Sequence, residues 1–213
     1  MSSRQAILDA IRRAPGARGP ELVPPGPPPE AAEYRHALAR DRVDVFVRRL
    51  EELGVYVHRL EAADGLVAVV ARLCEGRRTY VEPALQKLRE ALAEVGVPVV
   101  GWEDLAEAEV GVTGADYAVA ESGTLVLLAR PDRPRSGSLL PPVHVAVVGE
   151  DRVLADLFDL VEHLRGTSGT VVLASGPSRS ADIEMSLAVG VHGPGVVHVV
   201  LLPGQEGAAG PAK

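Results

Sequence analysis

The chain has 213 residues, 46% hydrophobic and 24% charged, a globular mixture long enough for one substantial core and too apolar for disorder. Its 29 acidic against 22 basic side chains give a formal net charge of −7, which excludes the basic footprint of a nucleic-acid or anionic-membrane binder. Aromatics, at 3%, offer no stacking platform for single strands.

Cys74 is the only cysteine, so the chain forms no internal disulfide and holds no iron–sulfur cluster or Cys-rich zinc site by itself. No apolar stretch follows Met1 to Gln5, and runs such as Val196–Leu202 fall far short of the roughly 20 residues that span a bilayer. The expected compartment is the cytoplasm, with no membrane span.

In chain order, residues 2–14 read as a short helix with Ile7, Leu8 and Ile11 on one face. Residues 15–29 hold seven of the 17 prolines, so this stretch reads as an extended linker. A helix is predicted over 30–53, with Tyr34, Leu38, Phe46, Leu50 and Leu53 as its apolar stripe and Gly54 as its stop. From there strands and helices alternate: strand 55–58, helix 65–75, strand 78–81, a helix opened by Pro83 and ended near Gly96, then strand 97–100. That rhythm predicts an α/β fold with a mainly parallel sheet covered on both faces.

Residues 116–129 break the rhythm, because Ser122-Gly123 interrupts two apolar stretches; a strand, a tight turn or bulge, and a second strand are predicted. A strand over 143–148, a helix over 151–164 and a strand over 170–174 follow, and residues 196–202 are expected to close the sheet. The domain is thus assigned to 30–205, behind an N-terminal helix and linker (1–29) and ahead of a flexible tail (206–213).

Three Gly-rich segments have compositions suited to holding a ligand. In the first, Glu121 offers a carboxylate, Ser122 and Thr124 offer hydroxyls, and Gly123 permits close backbone approach; a plain β-bulge is the competing reading. The second follows the strand ending near Ala174, where open α/β sheets bind ligands beyond strand carboxyl ends. It contains Gly176, Ser178, Arg179, Ser180, Asp182 and Glu184. Arg179 is suited to clamp a carboxylate or phosphate, and the two acids to orient it or move protons; a capped turn with surface charges is the alternative. The third surrounds His192 with Gly190, Gly193, Pro194 and Gly195, making the imidazole either a proton shuttle or a hydrogen-bonded turn element.

Arg135 to Ser138 form a polar loop able to close over a ligand, and His144 points either to the site or to the core. His58 and His198 fall within strands and are assigned structural roles; His36 and His163 are placed on helix surfaces. There is no zinc-helix spacing, no P-loop and no Gly-x-Ser-x-Gly elbow.

Taken in order, the run from Ala120 to Leu125, Ser138-Leu139-Leu140-Pro141-Pro142 with His144, Gly176 to Glu184, and Gly190 to Pro194 together resemble the LUD domain family. Ser122 and Ser180 stand where threonine is equally expected, a hydroxyl-preserving change. The resemblance implies a three-layer α/β/α sandwich like that of the sugar-phosphate isomerase and CoA-transferase superfamily. It also implies a part in oxidising L-lactate to pyruvate with iron–sulfur partner proteins, the clusters lying in those partners and no cofactor in this chain alone.

Two other readings stay open. One is a free-standing small-molecule enzyme of that superfamily type, with Glu121 as nucleophile or base. The other is a non-catalytic scaffold that binds a metabolite. The expected partners are a small carboxylate or phosphorylated metabolite, the iron–sulfur proteins and a second copy of the chain. In the lactate reading Arg179 holds the carboxylate, and His192 or Glu121 takes the hydroxyl proton.

Overall fold

The computed structural model describes residues 41–167, 169–181 and 187–204. The expected helix over 2–14, the proline-rich linker, the first part of the helix over 30–53 and the tail lie outside these residues.

Helix α1 (Arg42–Glu52) buries Phe46 and Leu50, one turn apart, and ends at Gly54, whose φ of +82° carries the chain out through a left-handed position. Strand β1 (Tyr56–Arg59) leads through a 3-10 turn into α2 (Leu66–Leu73), then β2 (Thr79–Val81). Pro83 opens a 3-10 turn that continues into α3 (Gln86–Glu94), where Leu88 and Leu92 face the core, and β3 (Val99–Val100) follows.

The next strand, β4 (Val110–Gly114), lay hidden in the sequence because two of its five residues are glycines. Strands β5 (Tyr117–Val119) and β6 (Thr124–Leu128) form the expected antiparallel pair. A one-turn helix, α4 (Ser136–Leu139), precedes β7 (Val143–Gly149). The helix expected over 151–164 is instead a 3-10 turn, a short strand β8 (Val153–Leu154) and α5 (Leu157–Leu164). The reason is that Val153 and Leu154 pair with β5, while Asp156 caps the helix: its carboxylate accepts the Asp159 N–H at 2.9 Å. Strands β9 (Val171–Ala174), β10 (Arg179–Ala181), β11 (Leu187–Val189) and β12 (Val196–Leu202) complete the described chain.

Six strands form a wholly parallel sheet in the order β1-β12-β7-β4-β2-β3. Strand β12 therefore lies inside the sheet between β1 and β7 and does not close it. The valine-rich runs of β7 and β12 are those of strands buried on both faces. Val145, Val147 and Val200 join Val110 and Val112 under α2 and α3. Their neighbours Ala146, Val148, Val199 and Leu201 face α1 and a smaller four-stranded sheet, β8-β5-β6-β9. Helix α5 packs Leu160 on the far side of that small sheet, against Tyr117, Val119 and Val126. The architecture is a three-layer α/β/α sandwich whose third layer is partly built from the small sheet.

One close contact seats α4 on the parallel sheet. A Cβ built on Gly111 of β4 would lie 2.1 Å from the Gly137 carbonyl oxygen of α4, so only glycine lets α4 settle there.

Candidate functional site

The small sheet leaves a cleft of about 260 Å³ between itself and the parallel sheet. Its walls come from β6 (Leu125), α4 (Ser138, Leu139), the starts of β7 and β12 (His144, Val197), β9, and the loops 175–178 and 192–194. It opens at the amino ends of β7 and β12, not at strand carboxyl ends as expected. The loop after Ala174 follows an antiparallel strand of the small sheet, so the rule for parallel sheets does not govern it.

Of the candidate side chains, Ser138, Gly176, Ser178, His192 and Gly193 line this cleft together with His144 and Ser175. Ser178 ties the two loops together: its N–H donates to the Pro194 carbonyl at 2.9 Å and its carbonyl accepts the Gly190 N–H at 3.0 Å. Gly193 lets the loops touch, since a Cβ there would lie 3.3 Å from Ser178 Cβ, and Gly176 holds a φ of +83° beside Leu53. Ser138 is buried, with its hydroxyl donating to the Arg135 carbonyl at 3.0 Å.

Thr124 stands behind the wall. Its hydroxyl lies 2.7 Å from those of both Ser122 and Ser175, a chain of three hydroxyls that fixes Ser175 at the cleft. Gly123 is buried under α1, where a Cβ would sit 3.0 Å from Arg49 Cβ; with φ of +62° its glycine character serves packing. Glu121 is half-buried, its N–H donates to the Ala155 carbonyl at 3.1 Å, and it is not among the lining residues. Arg179 turns away: its Nη2 donates to the Leu53 carbonyl at 2.7 Å, at the C-terminus of α1, where a cation also complements the helix dipole. Asp182, Glu184 and the side chain of Ser180 lie outside the described residues.

His144 is buried, and burial lowers its pKa to about 4, so the ring is neutral at physiological pH. Its Nε2 is 2.9 Å from the hydroxyl of buried Thr113. Thr113 and Ser175 are not legible as site residues in the sequence, because a hydroxyl in a strand or beside a loop glycine carries no local mark of what it touches. His58 and His198 meet on the opposite face of the parallel sheet, Nε2 to Nδ1 at 3.2 Å, with Tyr56 stacked on His198. Burial and the neighbouring cations lower both pKa values, that of His198 to about 4. His163 is exposed on α5, as expected.

A larger depression of about 490 Å³ runs along α3 beside Pro83, Gln86 and Arg89, but it holds none of the candidate side chains. Among the described residues, no three His, Cys, Asp or Glu side chains converge as a metal site would require. Nor is any helix there long and apolar enough to cross a membrane.

A parallel sheet with a subsidiary mixed sheet, and a Ser/His-lined cleft between them, defines the domain as α/β. The LUD domain family model matches residues 43–202, and the chain belongs to that family. It is 43% identical over 99 residues to lactate utilization protein C of Halalkalibacterium halodurans and 43% identical over 93 residues to that of Shouchella clausii. These matches span 43% and 41% of the two relatives, less than half their length. The protein of the same name from Deinococcus radiodurans is 29% identical over 205 residues, covering 92% of this chain and 93% of that protein. Among solved structures, a DUF162 family protein from Deinococcus radiodurans aligns with a TM-score of 0.62 and 25% identity, over 76% of this chain and 97% of that one.

Proposed function

We propose that this chain serves lactate utilization by binding a small hydroxy- or keto-acid in the Ser/His cleft. The observation that carries the reading is convergence: five separate stretches of the chain, at Leu125, 138–144, 172–178, 192–194 and Val197, meet at one cleft of about 260 Å³. That volume lies just below the usual range for drug-sized ligands and suits a smaller molecule. The names of the relatives supply the ligand class. The hydroxyls of Ser175 and Ser178 are the donors offered to a carboxylate, and His192, exposed at the mouth, is the base offered to the substrate hydroxyl. Arg179, occupied at Leu53, is not needed in this arrangement.

Oxidation of lactate to pyruvate removes two protons and two electrons. With a single, buried cysteine the chain lacks the ligands for a cluster, so the electrons leave to a partner or a diffusible cofactor, and the family resemblance makes iron–sulfur proteins the proposed acceptors. Calorimetry with L-lactate and pyruvate tests the binding step. Ser178→Ala is expected to weaken binding of both acids about tenfold, the worth of one good hydrogen bond to a charged group, His192→Ala to weaken L-lactate about fivefold through loss of a neutral hydrogen bond to its hydroxyl, and Arg179→Ala to leave both unchanged. Equal affinity in all three variants would remove the assignment.

A further inference from the structure

Glu82 follows β2 at the carboxyl ends of β2 and β4 and is completely buried. Its Oε1 accepts the Gly114 N–H at 2.7 Å and lies 3.1 Å from Arg133 Nε. Arg133 in turn places Nη1 2.7 Å from Asp116 Oδ2, so one guanidinium is shared between two carboxylates in ion-pair contacts without well-aligned hydrogen bonds. The other oxygen, Oε2, is buried and has no hydrogen-bond partner. A buried carboxyl oxygen left unpaired is costly, and so asks for a partner.

Beside it lies a void of about 10 Å³ whose walls include Glu82, Thr113, Arg133, Arg135 and Ser138. That is room for one water, with polar groups to hold it. Ser138 is a wall of the cleft as well. Thr113 reaches His144 at 2.9 Å, and His144 lines the cleft. Strand register explains the alignment: the Glu82 N–H donates to the Val112 carbonyl, continuing the β2–β4 ladder, and Gly111 pairs with His144. Glu82, Thr113 and His144 therefore share one sheet face across three adjacent strands.

We propose that Glu82 stores the proton exchanged in the cleft, linked to His144 through one water in this void and the hydroxyl of Thr113. Glu82 Oε2–H gives its proton to the water, and the water passes one to Thr113 Oγ1. The hydroxyl's own proton goes to His144 Nε2, and the ring releases its Nδ1 proton to a base in the cleft. Four bonds to hydrogen break, four form, and no electron moves; the ring ends neutral and Glu82 ends as a carboxylate beside Arg133.

The groups facing this path are few. Arg133 and the Gly114 amide favour the Glu82 carboxylate, whereas burial, the largest influence, and Asp116 and Asp132 oppose it, leaving its pKa at about 7. Tyr80, two residues earlier on the same face, is buried with an unpaired hydroxyl, and Arg135 borders the void. On the other side stand Thr113 and, across the cleft, His192.

The proposal shares its cleft with the reading above, but its test needs no ligand, so either can fail alone. The ring resonances of His144 and the carboxyl carbon of Glu82 are followed by NMR against pH. In the unaltered protein His144 is expected to show a step near the Glu82 titration, well above its own. The step is lost in Glu82→Gln. In Thr113→Val, nearly isosteric and chosen in case the first variant does not fold, it is lost while Glu82 still titrates. A His144 signal flat through neutrality in the unaltered protein, or a step that survives in Thr113→Val, would overturn the link.

Discussion

Two buried groups on one sheet face, Glu82 and His144, respond to pH with opposite sign. Glu82 has a higher pKa in the fold, about 7 against 4.5, so its contribution is fullest below 4.5 and is lost as pH rises through about 7. The difference corresponds to roughly 3 kcal/mol. In urea titrations, the stability of Glu82→Gln relative to the unaltered protein is expected to rise by up to that amount between about pH 5 and pH 8. A constant difference would mean that Glu82 ionises in the fold as it does in the unfolded chain. His144 behaves oppositely: its pKa falls from 6.5 to about 4, so its contribution is present above 6.5 and lost as pH falls toward 4. His198 adds loss in the same direction. A further single-residue prediction concerns Gly111. Alanine there meets a backbone oxygen that cannot swing aside, and Gly111→Ala is expected to cost about 3 kcal/mol or more in denaturant midpoint measurements.

At the scale of elements, Asp156 shows what local sequence rules could and could not read. The apolar spacing of α5 was legible from Leu157 onward. Its start was misplaced, because Val153 and Leu154 take their conformation from pairing with β5, a strand more than 30 residues earlier. Asp156→Ala is expected to lower stability by about 1–2 kcal/mol through loss of the cap, and to reduce amide protection at Asp159 first. Strand β4 was unreadable for a different reason. Gly111 and Gly114 read locally as breakers, yet Gly111 is demanded by α4, and the Gly114 N–H is the donor to Glu82. The hairpin of β5 and β6 was legible because Ser122-Gly123 breaks two apolar stretches. Its membership in a separate small sheet was not, since pairing partners such as β9 lie far along the chain.

For the whole molecule, the parallel sheet followed from alternating strands and helices, and the cleft's loops from their glycines, serines and His192. The position of the cleft did not follow, because β9 runs antiparallel and sets the site at the amino ends of β7 and β12. Nor did the composition of its wall: Arg179 caps α1, Gly123 serves packing, and Ser175 and His144 take places at the cleft. A small carboxylate is proposed to bind between the two sheets. Amide chemical-shift mapping with L-lactate and pyruvate tests it most directly. Shifts are expected to concentrate at residues 138–144, 172–178 and 192–197 and to saturate with ligand. Shifts along the α3 depression instead, or none at saturating ligand, would contradict it.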